Sequence, residues 1–260
     1  MDLGLAGARA LIGGGSSGLG AAIGEALLAE GARVGLVARS AERLEARIGA
    51  IGPGREGAFA VPADLATPDG PAGAVAAVVE RLGGLDLLLV NSGGPPPGRF
   101  DELDEDAWER AIDGTLRSAL RLLRAALPHL RASDRPAILV ILSSTVREPV
   151  PGLTTSNLLR PGLAGLLKSL SDEIAPVRIN GIAPGRVATD RIAQLDAAAS
   201  EREGVDLETI RRRLLDRIPL GRFGDPAEIG SVGAFLLSPA ASYVTGAIVP
   251  VDGGMVKALP

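Results

Sequence analysis

The chain has 260 residues, 46% hydrophobic and 22% charged, the make-up of an ordinary globular protein with length for a sizeable core. A net charge of -4 and an isoelectric point near 5.2 exclude the basic footprint of a nucleic-acid-binding protein. Cysteine is absent and His129 is the single histidine, which excludes disulfides, thiolate or imidazole metal clusters and cysteine nucleophiles.

The first element is the apolar run Ala10 to Ile12, a buried strand that stops at Gly13, Gly14 and Gly15. Gly18 and Gly20 then open a helix with Leu19, Ile23 and Leu27 on one face, closed by Gly31. A second strand, Val34 to Ala38, ends in Arg39-Ser40, and Ser40 caps a helix through Ile48. A third strand, Gly57 to Val61, ends at Asp64-Leu65. Thr67-Pro68 predicts the cap and first position of a helix to Leu82. Leu85 to Val90 is an uninterrupted apolar strand ending in Asn91-Ser92-Gly93-Gly94, followed by a loop through Pro95 to Gly98. A long helix is predicted over Trp108 to Leu130, with Leu116, Leu120, Leu123, Leu127 and Leu130 on one side, then a strand from Ile138 to Leu142 ending at Ser143-Ser144. A helix from Ser156 to Ile174 precedes the strand Val177 to Ile182 and its Pro184-Gly185. Residues 187–218 are polar and partly helical, with Arg211 to Arg213 a solvated face. Asp225-Pro226-Ala227-Glu228 opens a helix to Leu237, and Ala247 to Val251 is the last strand.

Strands that are continuously apolar and alternate with helices predict one doubly wound parallel α/β domain over residues 1–260, with helices on both faces. No apolar stretch is long enough to span a bilayer, and MDLGLAGARA lacks the design of a signal peptide, so the expected location is cytoplasmic. The strand–glycine–helix unit around Gly14, Ser16, Ser17, Gly18, Leu19 and Gly20 has the form of a pyrophosphate site. Glycines admit the phosphate, and the helix N-terminus offers free N–H groups and the positive end of its dipole. Where an NAD site usually presents a carboxylate to the ribose, Arg39 offers a guanidinium for a 2′-phosphate, so NADP(H) is expected over NAD(H).

In this order the motifs resemble the short-chain dehydrogenase/reductase family from end to end. GGGSSGLG stands for TGxxxGxG, Asp64-Leu65 for the adenine-side position and NSGG (Asn91, Ser92, Gly93, Gly94) for NNAG. Pro184-Gly185, running on through Val187 to Thr189, stands for the PG motif. The tail from Ile218 to Gly254 is similar to the 3-oxoacyl-carrier-protein reductase branch. The resemblance implies a Rossmann-type sheet of order 3-2-1-4-5-6-7 and often a homotetramer. It also implies hydride transfer between NADP(H), laid across the strand ends, and a carbonyl or alcohol. The segment 187–218 would close over that small-molecule substrate, with Pro95 to Arg99 at its rim.

The catalytic positions depart from the family. Aligning Gly165-Leu166-Leu167-Lys168 with the usual GLTK puts Ser156 where the acid/base tyrosine belongs, Arg160 at the lysine and Thr115 at the asparagine of the water relay. The serine that binds the substrate oxygen survives as Ser144, or as Ser143. The only tyrosine is Tyr243, in the C-terminal ASYVTG. Arginine keeps the positive charge that can hold ribose hydroxyls but does not release its proton near neutrality. The expected enzyme is therefore a reductase in which water delivers the proton while Ser144, Ser156 and Arg160 stabilise the oxyanion. Three plainer expectations stand beside it: Ser156 as a helix cap, Arg160 in a structural ion pair, and the whole chain as a catalytically silent dinucleotide-binding protein that senses or assembles. His129, which also reads as a surface histidine, and Asp172 and Asp190, which neighbour the site by sequence only, are the candidates for a replacement acid. Halohydrin dehalogenases also resemble the family and carry arginine for lysine, but they keep the tyrosine and abandon the glycine loop, the reverse of this chain.

Overall fold

The computed structural model describes residues 2–52 and 54–258. Met1, Pro53, Leu259 and Pro260, which the expected span of 1–260 includes, lie outside the described residues. Seven strands are β1 (Arg9–Gly13), β2 (Arg33–Ala38), β3 (Ala58–Pro62), β4 (Leu87–Val90), β5 (Ala137–Ile141), β6 (Arg178–Pro184) and β7 (Ile248–Val251). They form one sheet in the order β3-β2-β1-β4-β5-β6-β7, parallel throughout, which is the order the resemblance implies. The helices are α1 (Gly18–Ala29), α2 (Ala41–Ala50), α3 (Gly70–Leu82), α4 (Glu105–Ala111), α5 (Ser118–Arg131), α6 (Thr154–Glu173), α7 (Asp190–Glu203), α8 (Leu207–Leu215) and α9 (Pro226–Leu237). Among the described residues no helix is long and apolar enough to cross a membrane.

The strands are apolar at most positions because the sheet is covered on both sides. Successive residues supply two separate cores. Leu11, Leu88, Ile138 and Val140 pack with Val78 of α3, Leu122 of α5 and Leu163 of α6. Ile12, Leu87, Leu89 and Leu139 pack with Ile23 of α1, Leu44 of α2 and Ile229 of α9. Each fully buried Leu or Ile of this kind contributes about 1.5–3 kcal/mol relative to exposure. The core fixes the strands, and the strands fix where their ends deliver polar residues.

Four of the boundaries that differ from the sequence expectation have a local reason. The third helix starts at Gly70 rather than Pro68: Thr67 does accept a helix N–H through its hydroxyl, from Gly70 at 3.1 Å, but Asp69 and Pro71 make the first turn. The predicted Trp108–Leu130 helix begins at Glu105, where Asp104 accepts the amide of Ala107 at 2.7 Å. It is also interrupted by a wider turn with π-type bonding over Ile112–Arg117, between α4 and α5. Its buried face runs through Ala119, Leu122, Ala126 and Leu130, because the alanines let α5 lie close to α3; Leu116, Leu120 and Leu127 are half-buried. Finally, α6 starts at Thr154, two residues before Ser156, which places Ser156 inside its first turn.

Candidate active site

The carboxyl ends of β1 to β6 all deliver their following loops to one edge of the sheet, around a cavity of about 1200 Å³. It lies across the point where the chain order reverses, β1 being flanked by β2 and β4, which is where open α/β sheets bind ligands. Gly14, Ser16, Ser17, Gly18 and Leu19 line it after β1, Arg39 and Ser40 after β2, Asp64 and Leu65 after β3, and Asn91, Ser92 and Gly93 after β4. Ser144 after β5, Ser156 and Arg160 on α6, Thr115 in the π turn, and Pro184, Gly185, Val187 and Thr189 after β6 complete the expected set. Gly20 lies beneath the turn and does not line the cavity. A side chain there would put Cβ 2.3 Å from the Gly14 carbonyl oxygen, so its absence lets the turn close on α1.

Gly14 takes a left-handed backbone conformation, φ +64°, between β1 and α1. Asn91 pins the turn from β4 by donating Nδ2–H to the Gly13 carbonyl at 3.1 Å, while the Gly15 amide donates to Val37 O at 3.0 Å. No side chain caps the first N–H groups of α1, since the Ser17 hydroxyl makes no such bond. These free donors at a helix N-terminus are what an anionic phosphate takes. At the β2 end, Ser40 accepts the Arg43 amide at 3.1 Å and so starts α2, which brings Arg43 beside Arg39 on the cavity wall. Neither guanidinium is in an ion pair among the described residues. Sequence reasoning missed Arg43; the signal was its place one turn into a helix whose cap had been read. Asp64 Oδ1 accepts the Ala66 amide at 2.9 Å, which shapes the β3 loop.

The other end of the cavity is made by β5 and α6. Ser143 and Ser144 divide their work: Ser143 Oγ accepts the Thr145 amide at 3.2 Å, whereas the Ser144 hydroxyl makes no bond to the described residues and is buried against the cavity. Ser144 is thus the serine with a free hydroxyl. The Ser156 hydroxyl does not cap its helix; it lies 3.2 Å from Thr145 Oγ1. The expected ion pair of Arg160 is absent as well. Arg160 is 7% exposed, and its guanidinium donates to the Ile141 carbonyl and has no carboxylate partner among the described residues. Burial, with a smaller contribution from the nearby positive Arg191, pushes its pKa down to about 10. It remains a cation at neutral pH, with on the order of one molecule in a thousand deprotonated.

Thr115 Oγ1 is buried with no hydrogen-bond partner among the described residues. Beside it lies a small cavity of about 10 Å³ bounded by Thr115, Ser92, Ser118 and Arg160, room for roughly one water. Asp190 is exposed at the start of α7 on the cavity rim, whereas Asp172 is exposed near the end of α6 and outside it. His129 sits in the last turn of α5, which leads into the amino end of β5, on the opposite edge of the sheet. The segment after β6 folds into α7 and α8, with Arg211, Arg212 and Arg213 exposed on the latter. Arg186 and Arg191 of this segment also reach the cavity wall. Arg186 is paired with Asp196 and held over the Phe223 ring, and burial lowers its pKa to about 10.

Residues 14–256 match the family model described as Enoyl-(Acyl carrier protein) reductase. The chain is 31% identical over 249 residues to 3-oxoacyl-[acyl-carrier-protein] reductase FabG of Staphylococcus aureus, covering 95% of this chain and 97% of that one. Its structure is similar to that of L-sorbose reductase from Gluconobacter frateurii complexed with NADPH and L-sorbose, with a TM-score of 0.92, 31% identity and all of both chains covered. It is also similar to a single-residue variant of actinorhodin polyketide ketoreductase with NADPH, with a TM-score of 0.89, 29% identity, and 96% of this chain and 97% of that one covered. The motifs, the sheet order and these likenesses agree: the chain belongs to the short-chain dehydrogenase/reductase family of oxidoreductases and resembles its 3-oxoacyl-[acyl-carrier-protein] reductase branch.

Proposed function

We propose that the protein is an NADP(H)-dependent oxidoreductase that moves a hydride between nicotinamide and a small carbonyl or alcohol without a tyrosine acid. The observation that carries this reading is one continuous cavity joining the uncapped α1 N-terminus to the free Ser144 hydroxyl and the buried Arg160 cation. The residues present fit the dinucleotide. Gly14 and the α1 amides suit its pyrophosphate, Asp64 and Leu65 its adenine side, and the unpaired Arg39 and Arg43 a 2′-phosphate. When bound, NADPH supplies the hydride.

The chain's own residues then have three tasks. Ser144 holds the carbonyl oxygen by donating its hydroxyl proton in a hydrogen bond. Arg160, fixed by its bond to Ile141, faces the negative charge that develops on that oxygen as the hydride reaches the carbon. Ser156, one helical turn before Arg160 and paired with Thr145, adds a second hydroxyl. Water supplies the proton that turns the alkoxide into the alcohol, because neither a serine nor a cationic arginine is an acid at neutral pH. General acid assistance is worth about 10² to 10⁴ in rate, so turnover is expected to be slow beside an enzyme with the tyrosine. The relatives named above are reductases, which favours this reading over a silent binder.

The test is a titration with NADPH and NADH followed by absorbance loss at 340 nm over a panel of carbonyls. Tight NADPH binding with turnover supports the proposal. Binding without turnover on any carbonyl returns the silent binder, and no binding of either nucleotide refutes both.

A further inference from the structure

Beside Arg160 the cavity holds a second guanidinium without a counter-charge. Arg191, one residue into α7, is half-buried; its Nη2 donates to the Pro95 carbonyl at 2.6 Å, and no carboxylate is within ion-pair distance among the described residues. The guanidinium lies directly against the loop after β4, where a Cβ on Gly94 would come within 2.9 Å of Arg191 Nε. The two cations are close enough for Arg191 to weaken the hold of Arg160 on its proton. The carboxylates nearby are engaged elsewhere or lie in solvent. Glu148 accepts the amides of Lys257 and Ala258 at 2.8 and 2.9 Å, Asp196 pairs with Arg186, and Asp190 is exposed at the rim. Two partly or fully buried positive charges without an anion are costly, and a ligand that supplies one offsets that cost.

We propose that Arg191, seated on Gly94 and Pro95 beside Arg160, is a carboxylate-binding residue that selects carbonyl substrates bearing a carboxylate. The assignment rests on the oxidoreductase reading and names its substrate class. The anion belongs at the reacting end, because the partner cation is fixed to Ile141 at the end of β5, next to Ser144, and not at Arg39. A planar carboxylate suits the guanidinium fork. L-Sorbose, bound in the related structure, carries no such group.

The experiment uses malonate, an unreactive dicarboxylate, and NADPH, each titrated separately by calorimetry into the wild-type protein, Arg191→Gln and Arg39→Ala. Arg191→Gln removes the charge and the fork and shortens the reach to Pro95, while Arg191→Lys keeps the charge without the fork. The wild type is expected to bind malonate saturably, Arg191→Gln to weaken it at least about tenfold with NADPH affinity kept within about twofold, and Arg191→Lys to fall between. Arg39→Ala should do the reverse, weakening NADPH and sparing malonate. In turnover, acetoacetate should be preferred over methyl acetoacetate, and Arg191→Gln should remove that preference through KM. Absent malonate binding in the wild type overturns the proposal, as does an Arg191→Gln variant that keeps malonate affinity. A tenfold NADPH defect in Arg191→Gln with malonate spared reassigns Arg191 to the dinucleotide phosphates. If NADPH does not bind at all, the oxidoreductase reading fails while the malonate titration still decides this one.

Discussion

At the β1–β2 end of the cavity the groups that face a ligand are largely backbone, held by glycines and by the amide clamp of Asn91. At the β5–α6 end they are side chains: Ser144, Ser156 and Arg160. By the motif alignment, the first end keeps the family's pattern and the second departs from it at Ser156 and Arg160. A backbone phosphate site depends on conformation and close approach, which few residues other than glycine allow, so its sequence has little freedom. A site built of side chains can be rebuilt with serine and arginine and still offer donors and positive charge, at the expense of the proton donor.

The comparison is broken most severely at Gly20. A valine there would put Cβ 2.3 Å from the Gly14 carbonyl oxygen and 2.9 Å from Asn91 Nδ2, so backbone must move. We expect Gly20→Val to cost about 3 kcal/mol of stability. NADPH affinity should fall about a hundredfold or more, read by thermal melts and fluorescence titration. A variant that folds and binds normally would show that the turn does not depend on its close packing against α1.

At the opposite end the expected sign for stability is reversed. Arg160 is buried without an anion, so Arg160→Met should stabilise the unliganded protein by about 1–3 kcal/mol. That is a rise of roughly 2–4 °C in Tm per kcal/mol for a protein of this size. The same change should lower kcat about 10² to 10³-fold by removing the charge that faces the oxyanion. The pH dependence follows from the lowered pKa. Below about 10, folded and unfolded chains both carry the charge, and the folded one bears the full burial cost. Between about 10 and the higher ordinary arginine value the folded chain sheds its proton first. The contribution of Arg160 to stability therefore becomes less unfavourable as pH rises through that window, while the rate falls. A rate that is flat through pH 10 would remove Arg160 from the chemistry.

The two ends also differed in how far they could be read from the sequence. Strand ends, glycines and caps are local patterns, so the sheet order, the loops at its carboxyl edge and the cavity residues from Gly14 to Thr189 were legible in order. What was not legible depends on contacts between distant segments. The bond from Arg160 to Ile141 spans 19 positions, that from Arg191 to Pro95 spans 96, and Glu148 reaches Lys257 across 109. The π turn that buries Thr115 is made by backbone bonding that no residue pattern in the long helix announces. Ser156 illustrates the limit: a serine near a helix start reads as a cap, but the first turn begins two residues earlier and the hydroxyl meets Thr145 instead.

A smaller effect sharpens the cofactor end. Arg39 and Arg43 both line the cavity unpaired, so either can meet a 2′-phosphate. Each alanine variant should raise the NADPH Kd about tenfold, as expected for the loss of one charge-assisted hydrogen bond, and leave NADH binding nearly unchanged. Equal losses for both nucleotides would place the arginines outside the phosphate's reach.

The smallest expected effect lies between the two ends, at Thr115. Its hydroxyl is buried without a protein partner, beside a cavity of about 10 Å³ that Ser92, Ser118 and Arg160 also bound. Leu65, Val90, Leu122, Val140 and Leu163 line it too, so a water is held there only where it meets both Thr115 and Arg160. Thr115→Val removes the anchor but keeps the shape. With a bridging water present, the variant should lose about 1 kcal/mol and turn over a few-fold more slowly, because the water beside Arg160 is no longer held. If the cavity is instead dry, valine relieves an unsatisfied hydroxyl and Tm rises. The sign of that small shift decides whether Thr115 connects the two ends through water or only fills space between them.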